Sequence, residues 1–600
     1  MKKIFATLIL ALCCISAAWA VPAYRGLISH TQPDGSVIMI RVHGDEFCHW
    51  VTDASGQVLE MGADGYYRPS SSSSLASRRA VGRARRAEAN ARRSAPGKRG
   101  VASGTKRFLV ILVSFSDVDF SILSPETAFA NLMNESGYSA NGGTGSVKDY
   151  YYDNSHGLFT PVFDVAGPYQ VSNTASYYAG SSGVENAEEA FYEACVQAQN
   201  DIDFSDYDLD GDGKVDMVFF YYAGYNQAEG KANTIWPHQY TFQGTDYRSI
   251  QFDGKYLGNY ACTSELKGTE GTNMCGIGTA CHEFGHAMGL PDFYDTDYED
   301  NDQCGAMFFF STMDSGSYNN EGRTPPYFTI EERIILGWIN AADAFREFSA
   351  TGNYTIGSVD NNIAYRTPTD KDGEYFVYEC RGSNGWDSGL ESYGLVVTHI
   401  DKSSRTVSIL NSAGNTVNIT ASSLWSNWEQ YNSINENGSH PCCYVVPAAD
   451  QSNLLYAHKY YQGYGYYFNA AYSSYIPFPG HERVTSFTAR SWNGVDSSVK
   501  LSGITYSDNQ VRLHAYVPSS TLNYNVINNP GNGVYTAGST FNLSLTTSAA
   551  QPVSSVQWYF DDEPVSGTSV VLTAGTHVVE AHLTLVSGET KILELTLQVL

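Results

Sequence analysis

The residues most able to do chemistry lie in one short segment, His282-Glu283-Phe284-Gly285-His286. On an α-helix, His282 and His286 are four residues apart, so both imidazoles project from one face, one turn apart. Two such nitrogens can bind one Zn²⁺ at about 2.0–2.1 Å. Glu283 lies beside them, where it can take a proton from an attacking water instead of binding the metal. The segment therefore predicts one catalytic zinc ion.

A third ligand is expected just after this helix. Gly289 can adopt the left-handed conformation that ends a helix, and Pro291 prevents the helix from continuing. Asp292 is then the first side chain after the turn that can complete the site, which leaves a fourth position for water. The alternative is a glutamate on a later helix, and Glu299 is the candidate for that role.

Two residues downstream extend the site. The pattern His-Glu-x-x-His-x-x-Gly is that of the metzincins, except that Asp292 stands where they have a third histidine. Metzincins also carry a methionine turn that packs beneath the metal, and Met313 is the candidate for it. Tyr318 could offer a phenol to a transition-state oxyanion.

The stretch Cys281–Asp295 resembles the M6 metallopeptidases, the immune inhibitor A family. Further segments similar to that family are Tyr150–Gly157, Ile235–His238, Leu336–Trp338 and Glu374–Asp401. Together they extend the resemblance over roughly residues 105 to 495, although its specificity rests chiefly on the zinc segment. The resemblance implies a secreted zinc endopeptidase that is made as a zymogen, often with calcium sites.

Length and local composition predict several domains, because 600 residues are too many for one core. We expect an α+β, metzincin-like catalytic domain followed by an all-β domain and a C-terminal immunoglobulin-like β-sandwich. The expected boundaries are a signal peptide at 1–20, a propeptide at 21–69, a cleavable Ser- and Arg-rich linker at 70–104, the zinc metallopeptidase domain at 105–345, the β-rich domain at 346–517 and the immunoglobulin-like domain at 518–600.

The amino terminus predicts export. Lys2 and Lys3 precede an apolar run, and Ala18-Trp19-Ala20 is a small-x-small cleavage site. No later stretch reaches the roughly 18–20 apolar residues of a membrane span. The formal charge of −27 argues against nucleic acid and anionic membrane as partners. We expect a secreted monomer, with free release or surface retention left open.

The segment 21–69 is a candidate inhibitory propeptide. The basic run from Arg78 to Arg99 has no apolar periodicity, so it should be a mobile tether that a protease can cut. Cys48 could place a thiolate on the zinc, but it could equally be a small buried residue. Asp45 or Glu46 could block the metal as well, so the latency ligand stays open.

A second metal site is expected in the catalytic region. Acidic residues at alternate positions surround Gly213, as in the first nine positions of a calcium loop. The candidate ligands are Asp208, Asp210, Asp212, Lys214 through its backbone carbonyl, and Asp216. The chain then enters the strand Val218–Tyr222 and lacks the last glutamate of an EF-hand. The sequence therefore predicts at least one structural calcium ion.

These residues favour a zinc-dependent endopeptidase that acts on proteins or peptides and is held latent by its own propeptide. One alternative is a surface-binding or adhesin protein with a vestigial metal site. The other is a zinc hydrolase that acts on a non-protein polymer such as glycan.

Overall fold

The computed structural model describes residues 21–91, 102–242, 250–296, 306–403, 405–410, 416–421, 434–435, 440–449, 476–518, 526–529, 534–547 and 552–600. It divides the chain into two compact units, 1–516 and 517–600. In the described residues, no helix is both long and apolar enough to cross a membrane. The predicted signal peptide and Glu299 lie outside the described residues.

The segment that was predicted to be a propeptide forms a five-stranded antiparallel sheet in sequential order. Its strands are β1 (Ile28–Thr31), β2 (Val37–Gly44), β3 (His49–Asp53), β4 (Val58–Met61) and β5 (Tyr67–Pro69).

The predicted mobile linker is wrong in its first part, because Ser72–Ala91 forms a helix, α1. Alanine and arginine are strong helix formers, which favours this conformation. The inward positions are Leu75, Arg79, Gly82 and Arg86, which follow helical spacing. A search for apolar residues at helical spacing does not find this buried face, because two of its four residues are arginines that bury their aliphatic stems.

Two contacts of α1 hold it against the five-stranded sheet. The Arg79 guanidinium lies 4.5 Å from the centroid of the Trp50 ring. Arg86 forms a buried ion pair with Asp45. A charge that is buried away from water needs such a partner. Helix α1 is therefore packed onto this five-stranded sheet.

The region predicted to be catalytic, residues 105–345, is called the catalytic region below and is built around a six-stranded mixed sheet. Its strands run in the order β10-β11-β8-β6-β7, and β9 pairs with β11. The neighbours β11 and β8, β8 and β6, and β6 and β7 are parallel. The strands are β6 (Gly104–Ser114), β7 (Phe159–Gln170), β8 (Lys214–Tyr222), β9 (His238–Thr241), β10 (Gln251–Phe252) and β11 (Lys255–Ser264). The helices of this region are α2 (Pro125–Asn134), α3 (Val147–Asn154), α4 (Ala175–Ala179), α5 (Ala187–Ala198) and α6 (Gly278–Ala287).

Strand β6 is buried on both faces, which explains its unbroken apolar run. Phe108, Val110 and Leu112 join the core that holds α2, α3 and α6. Leu109, Ile111 and Val113 join a second core with α5. Successive side chains of a strand point to opposite faces, so a strand between two helical layers needs apolar residues throughout.

The predicted boundary between a catalytic and a β-rich domain falls inside one hydrophobic core. That core contains Phe108 of β6 as well as Val377, Trp386 and Val396 from the β-rich part. Two short helices, α7 (Ile330–Ile335) and α8 (Ala341–Ala344), precede the β-rich strands. The strands are β12 (Phe345–Glu347), β13 (Gly352–Gly357), β14 (Ala364–Pro368), β15 (Glu374–Arg381), β16 (Gly394–Asp401), β17 (Arg405–Leu410), β18 (Thr416–Ala421), β19 (Cys443–Val445), β20 (Phe487–Arg490), β21 (Asp496–Ser507) and β22 (Gln510–Tyr516).

Three sheets form in this part, in the orders β12-β14-β15-β16-β19, β13-β22-β21-β20 and β17-β18. Arg381 of β15 shows how closely they join the catalytic region. Its guanidinium donates to the carbonyls of Phe310 and Tyr327 at 2.9 and 2.8 Å and is paired with Asp387 at 2.7 Å. The predicted domains 105–345 and 346–517 therefore share one unit.

The second unit contains β-strands around a core of its own. Trp558 packs there with Phe541, Val579 and Leu597. The sheets have the orders β24-β31-β30-β27-β28, β23-β26 and β25-β29. The strands are β23 (Val526–Ile527), β24 (Val534–Tyr535), β25 (Thr540–Asn542), β26 (Leu545–Thr546), β27 (Val553–Phe560), β28 (Glu563–Val565), β29 (Ser569–Val571), β30 (Gly575–Leu585) and β31 (Thr590–Val599). An immunoglobulin-like class for this unit stays a prediction.

Candidate metal centre

Helix α6 and the turn that follows it bring three side chains together. The Nε2 atoms of His282 and His286 lie 3.0 Å apart. Asp292 Oδ1 lies 3.3 Å from each of them. Gly289 has φ +101°, a left-handed conformation that favours glycine, and it lets the chain turn back after the helix.

The second nitrogen of each histidine is held by a backbone carbonyl. Nδ1 of His282 lies 2.8 Å from the Thr312 oxygen, and Nδ1 of His286 lies 2.8 Å from the Leu290 oxygen. Because a carbonyl only accepts hydrogen bonds, each Nδ1 must carry the proton. Each Nε2 is then left with a lone pair that faces the centre of the group. Such carbonyls orient metal-binding histidines.

The three atoms fit a tetrahedral zinc ion. Ligands about 2.0–2.1 Å from such an ion are about 3.3–3.4 Å apart, which is close to the observed triangle. All three side chains are buried. Burial lowers the pKa of His286 to about 4, so its imidazole is neutral near pH 7, as a ligand must be. Two imidazoles and one carboxylate form a donor set typical of catalytic zinc.

Glu283 lies on the same helix, fully buried. Its Oε1 accepts a hydrogen bond of 2.7 Å from the backbone nitrogen of Val21. Among the described residues, Oε2 has no hydrogen-bond partner. Burial raises the pKa of Glu283 well above its usual value, and the carboxylates of Glu46 and Asp292 add to this. A raised pKa suits a carboxylate that must accept and release a proton.

Met313, the predicted methionine-turn residue, packs against helix α6. It is fully buried. A Cβ added at Gly285, between the two histidines, would lie 2.8 Å from Met313 Sδ. The thioether can therefore come this close to the helix only because residue 285 has no side chain. The adjacent Thr312 supplies the carbonyl that orients His282.

Tyr318 and Cys48 make contacts that differ from those expected for their predicted roles. The Tyr318 hydroxyl donates to the carbonyl of Pro22 at 2.7 Å. Cys48 packs in an apolar cluster with Trp50, Leu75 and Tyr294. Burial raises the pKa of the Cys48 thiol to about 11, which disfavours the thiolate that binds a metal. Cys48 is not among the three residues grouped at the centre.

The calcium candidates come together only in part. Carboxylate oxygens of Asp208, Asp210 and Asp216 lie within 4.8 Å of one another. Asp212 is outside this group, and its Oδ1 accepts a hydrogen bond of 2.9 Å from the backbone nitrogen of Lys214. Lys214 is the first residue of β8.

A lysine side chain contacts this acidic loop. The Lys255 ammonium lies 2.6 Å from Asp208 Oδ2. Backbone nitrogens of Gly211 and Gly213 also donate to Asp208, at 2.9 and 3.1 Å. Three converging carboxylates fit a hard cation such as Ca²⁺, which takes six to eight oxygen ligands, if carbonyls or waters supply the rest.

The sequence did not reveal several groups at the centre. The Thr312 and Leu290 carbonyls belong to the backbone, so no side-chain pattern could show them. Trp236 was noted only as part of a family-like segment, yet its indole nitrogen donates to the Val21 carbonyl at 3.1 Å. A cavity of about 810 Å³ lies beside this region and is lined in part by Arg25, Thr279 and Tyr318.

The cysteines make no disulfide among the described residues. The eight that the structure describes are free and buried: Cys48, Cys195, Cys262, Cys275, Cys281, Cys380, Cys442 and Cys443.

Comparison with known proteins gives a family match over the catalytic region. Residues 99–331 match the protein-family model described as "Immune inhibitor A peptidase M6, catalytic domain". The pre-pro-metalloprotease PrtV of Vibrio cholerae serotype O1 is 28% identical in an alignment of 245 residues, and the match covers 35% of this chain and 26% of that protein. Immune inhibitor A of Bacillus thuringiensis subsp. alesti is 26% identical in an alignment of 222 residues, and the match covers 31% of each protein.

The matched segment spans about a quarter to a third of the length of these relatives. Among solved structures, the fibronectin(III)-like modules of Clostridium thermocellum CbhA show 24% identity over 13% of this chain and 45% of theirs. The TM-score of 0.12 is too low to support a statement about the fold. The resemblance to the M6 metallopeptidases is thus confirmed over residues 99–331, the segment that contains α6 and all three members of the buried triad.

Proposed function

We propose that this protein is a zinc-dependent endopeptidase of the M6 type. The observation that carries the proposal is the buried triangle of His282, His286 and Asp292, with Glu283 on the same helix. The M6 match supports a metallopeptidase of protein substrates.

Each residue has a distinct role in peptide hydrolysis. His282, His286 and Asp292 would hold the zinc. A zinc ion bound there would polarise the scissile carbonyl and lower the pKa of the attacking water. Glu283 takes a proton from that water and passes it to the leaving amine. The carbonyls of Thr312 and Leu290 keep the two imidazoles in the tautomer that binds metal.

The protein would be made as a zymogen. Residues 21–91 pack against the catalytic region, and Val21 contacts Glu283 directly. Of the predicted latency ligands, Asp45 is bound to Arg86 and to two backbone nitrogens, and Cys48 lies in its apolar cluster. Glu46 is buried, and its Oε2 has no hydrogen-bond partner among the described residues.

Glu46 is therefore our choice of latency ligand. Burial raises its pKa well above the usual value, and the nearby carboxylates of Asp45 and Asp292 add to this. A cation at the centre would relieve this repulsion. We also propose that the protein is secreted after removal of its signal peptide. A calcium ion bound by Asp208, Asp210 and Asp216 would stabilise it.

The test uses the exported full chain after limited cleavage in its arginine-rich run. Casein and a polysaccharide would be assayed side by side, before and after a chelator, and again after zinc is restored. We expect casein hydrolysis that the chelator abolishes and zinc restores. Polysaccharide hydrolysis alone would favour the non-protein hydrolase. Zinc binding without hydrolysis of either polymer would favour a surface-binding protein.

A further inference from the structure

The two histidines of the metal centre are oriented in different ways. The Nδ1 partner of His286 is the Leu290 carbonyl, four residues along the chain in the turn that ends α6. The Nδ1 partner of His282 is the Thr312 carbonyl, 30 residues away beside the predicted methionine turn. A helix and a distant loop can move relative to each other. The contact that orients His282 therefore needs further groups that fix both segments.

Helix α3 supplies two hydroxyl groups that reach these two segments. Its adjacent residues Tyr150 and Tyr151 are fully buried. The Tyr151 hydroxyl donates to the carbonyl of Cys281 at 2.6 Å. The Tyr150 hydroxyl lies 2.7 Å from Thr312 Oγ1. One tyrosine thus contacts the residue before His282, and the other contacts the residue whose carbonyl orients it.

The contact between Tyr150 and Thr312 belongs to a closed group of three. Both hydroxyls lie within hydrogen-bond distance of the Pro326 carbonyl, at 2.8 Å for Tyr150 and 3.2 Å for Thr312. A carbonyl only accepts hydrogen bonds, so one hydroxyl donates to it and the other hydroxyl can donate to the first. This group holds Thr312 by its side chain. The backbone carbonyl of Thr312 is left to accept the proton of His282 Nδ1.

The rings that carry the two hydroxyls are held by aromatic packing. The Tyr150 ring meets Trp386 and Phe328 edge to face, and both centroids lie 5.1 Å away. The Tyr151 ring meets Phe284 of α6 in the same way, with the centroids 5.2 Å apart. Rings that are buried in a closely packed core have little freedom to shift. Each hydroxyl is therefore held at one place.

A buried hydroxyl needs a hydrogen-bond partner wherever it lies, so a satisfied tyrosine is not in itself a sign of function. These two adjacent tyrosines, however, end on the two backbone segments that hold one metal ligand. We propose that Tyr150 and Tyr151 are positioning residues that keep His282 in its metal-binding orientation, Tyr150 through Thr312 and Tyr151 through the Cys281 carbonyl. The proposal rests on the function proposed above and adds residues that act through a ligand instead of touching the metal.

The test measures zinc binding by the exported full chain and needs no peptidase activity. Zinc-free protein is titrated with zinc against a chromogenic chelator of known affinity, and thermal unfolding is recorded for each variant. Tyr150→Phe and Tyr151→Phe each remove one hydroxyl and keep the ring. Tyr178→Phe is the matched control, because Tyr178 is also fully buried and donates to Glu193 at 2.7 Å, but in the second core with α5. His286→Ala measures zinc bound elsewhere.

We expect Tyr150→Phe and Tyr151→Phe to weaken zinc binding by about tenfold each, at the lower end of the effect of groups that orient metal ligands. Tyr178→Phe should lower the unfolding temperature, as a lost buried hydrogen bond does, and leave the zinc affinity unchanged. If the three variants lose stability and none loses zinc affinity, the two tyrosines only fill the core and the proposal is overturned.

A double-mutant cycle checks the route from Tyr150 through Thr312. Thr312→Val removes the hydroxyl that Tyr150 contacts, whereas Thr312→Ser keeps it. We expect Thr312→Val to weaken zinc binding as much as Tyr150→Phe does, the double variant to bind no more weakly, and Thr312→Ser to keep the wild-type affinity. Fully additive losses in the double variant would overturn this route.

The outcomes separate this inference from the proposed function. If the wild-type chain binds a zinc ion that His286→Ala loses, and both tyrosine variants bind it equally well, only this inference is overturned. If the wild-type chain binds no zinc at the centre, the proposed function is overturned, and the positioning role with it. Zinc binding that depends on both tyrosines, without casein hydrolysis by the activated chain, would support the positioning role and overturn the endopeptidase function.

Discussion

The two candidate metal sites in the catalytic region differ in how far their side chains are buried and in what orients them. His282, His286 and Asp292 are buried, and backbone carbonyls fix both histidines. In the second group Asp210 is exposed and Asp216 is partly exposed, whereas the Asp208 side chain is buried against Lys255. The shape of this loop is set by hydrogen bonds to its own backbone. A buried, oriented group is prepared for chemistry, whereas an exposed acidic loop gains order when a cation binds.

The two candidate metal sites should differ most in how strongly a substitution of one predicted ligand reduces hydrolysis. Asp292→Ala or His286→Ala takes one of three ligands from the buried centre. Hydrolysis should fall by more than about 10²-fold, the upper limit for changes outside the ligand shell. Zinc content and casein cleavage are the measurements. An Asp292→Ala protein that keeps full zinc and activity would point to a different third ligand.

Calcium should act on stability rather than on the chemical step. At a concentration about 100 times its Kd, calcium should raise the free energy of unfolding by about 2.7 kcal/mol. Asp208→Asn and Asp216→Asn should abolish this gain, because each removes one of the three converging carboxylates. Thermal unfolding with and without calcium measures the effect. Asp119→Asn, an exposed acid outside the loop, is the control and should keep the gain.

The contact between Met313 and helix α6 can be broken with one methyl group. Gly285→Ala places a Cβ 2.8 Å from Met313 Sδ. Overpacking of this kind should lower the free energy of unfolding by about 1–3 kcal/mol. Gly352→Ala is a matched control, since its added Cβ meets no atom within 4 Å. Equal stability of the two variants would show that the tight contact is absent.

Latency should respond to Glu46 and not to Cys48. In the uncleaved chain, Glu46→Gln should raise peptide hydrolysis about tenfold, which corresponds to about 1.4 kcal/mol of lost inhibition. Cys48→Ser should leave latency within about twofold, because a thiol with a raised pKa is a poor metal ligand. Fluorogenic peptide cleavage by the uncut protein measures both. The reverse pattern would restore Cys48 as the latency ligand.

The short-range parts of the site could be predicted from the sequence. Helical spacing puts His282 and His286 on one face of α6. The glycine at 289 predicts the turn that brings Asp292 back to the two histidines. The apolar run in β6 likewise predicts a strand with two buried faces. In each case, neighbours in the chain decide the geometry.

The parts that the sequence did not reveal depend on distant contacts. The Thr312 carbonyl reaches His282 across 30 positions, and Val21 reaches Glu283 across 262. Helix α1 was missed because its buried face uses Arg79 and Arg86 as well as apolar residues. The shared core of the catalytic and β-rich parts was missed because hydrophobicity alone does not show which strands pack together.

The central claim is that Glu283 does the proton transfer at a zinc centre that it does not help to build. The direct measurement is zinc content and casein hydrolysis of the activated full chain with and without Glu283→Gln, with Glu135→Gln as an exposed control. We predict one zinc per chain in all three proteins and a loss of hydrolysis of about 10²–10⁴-fold in Glu283→Gln alone. Unchanged hydrolysis in Glu283→Gln, with its zinc in place, would contradict the account.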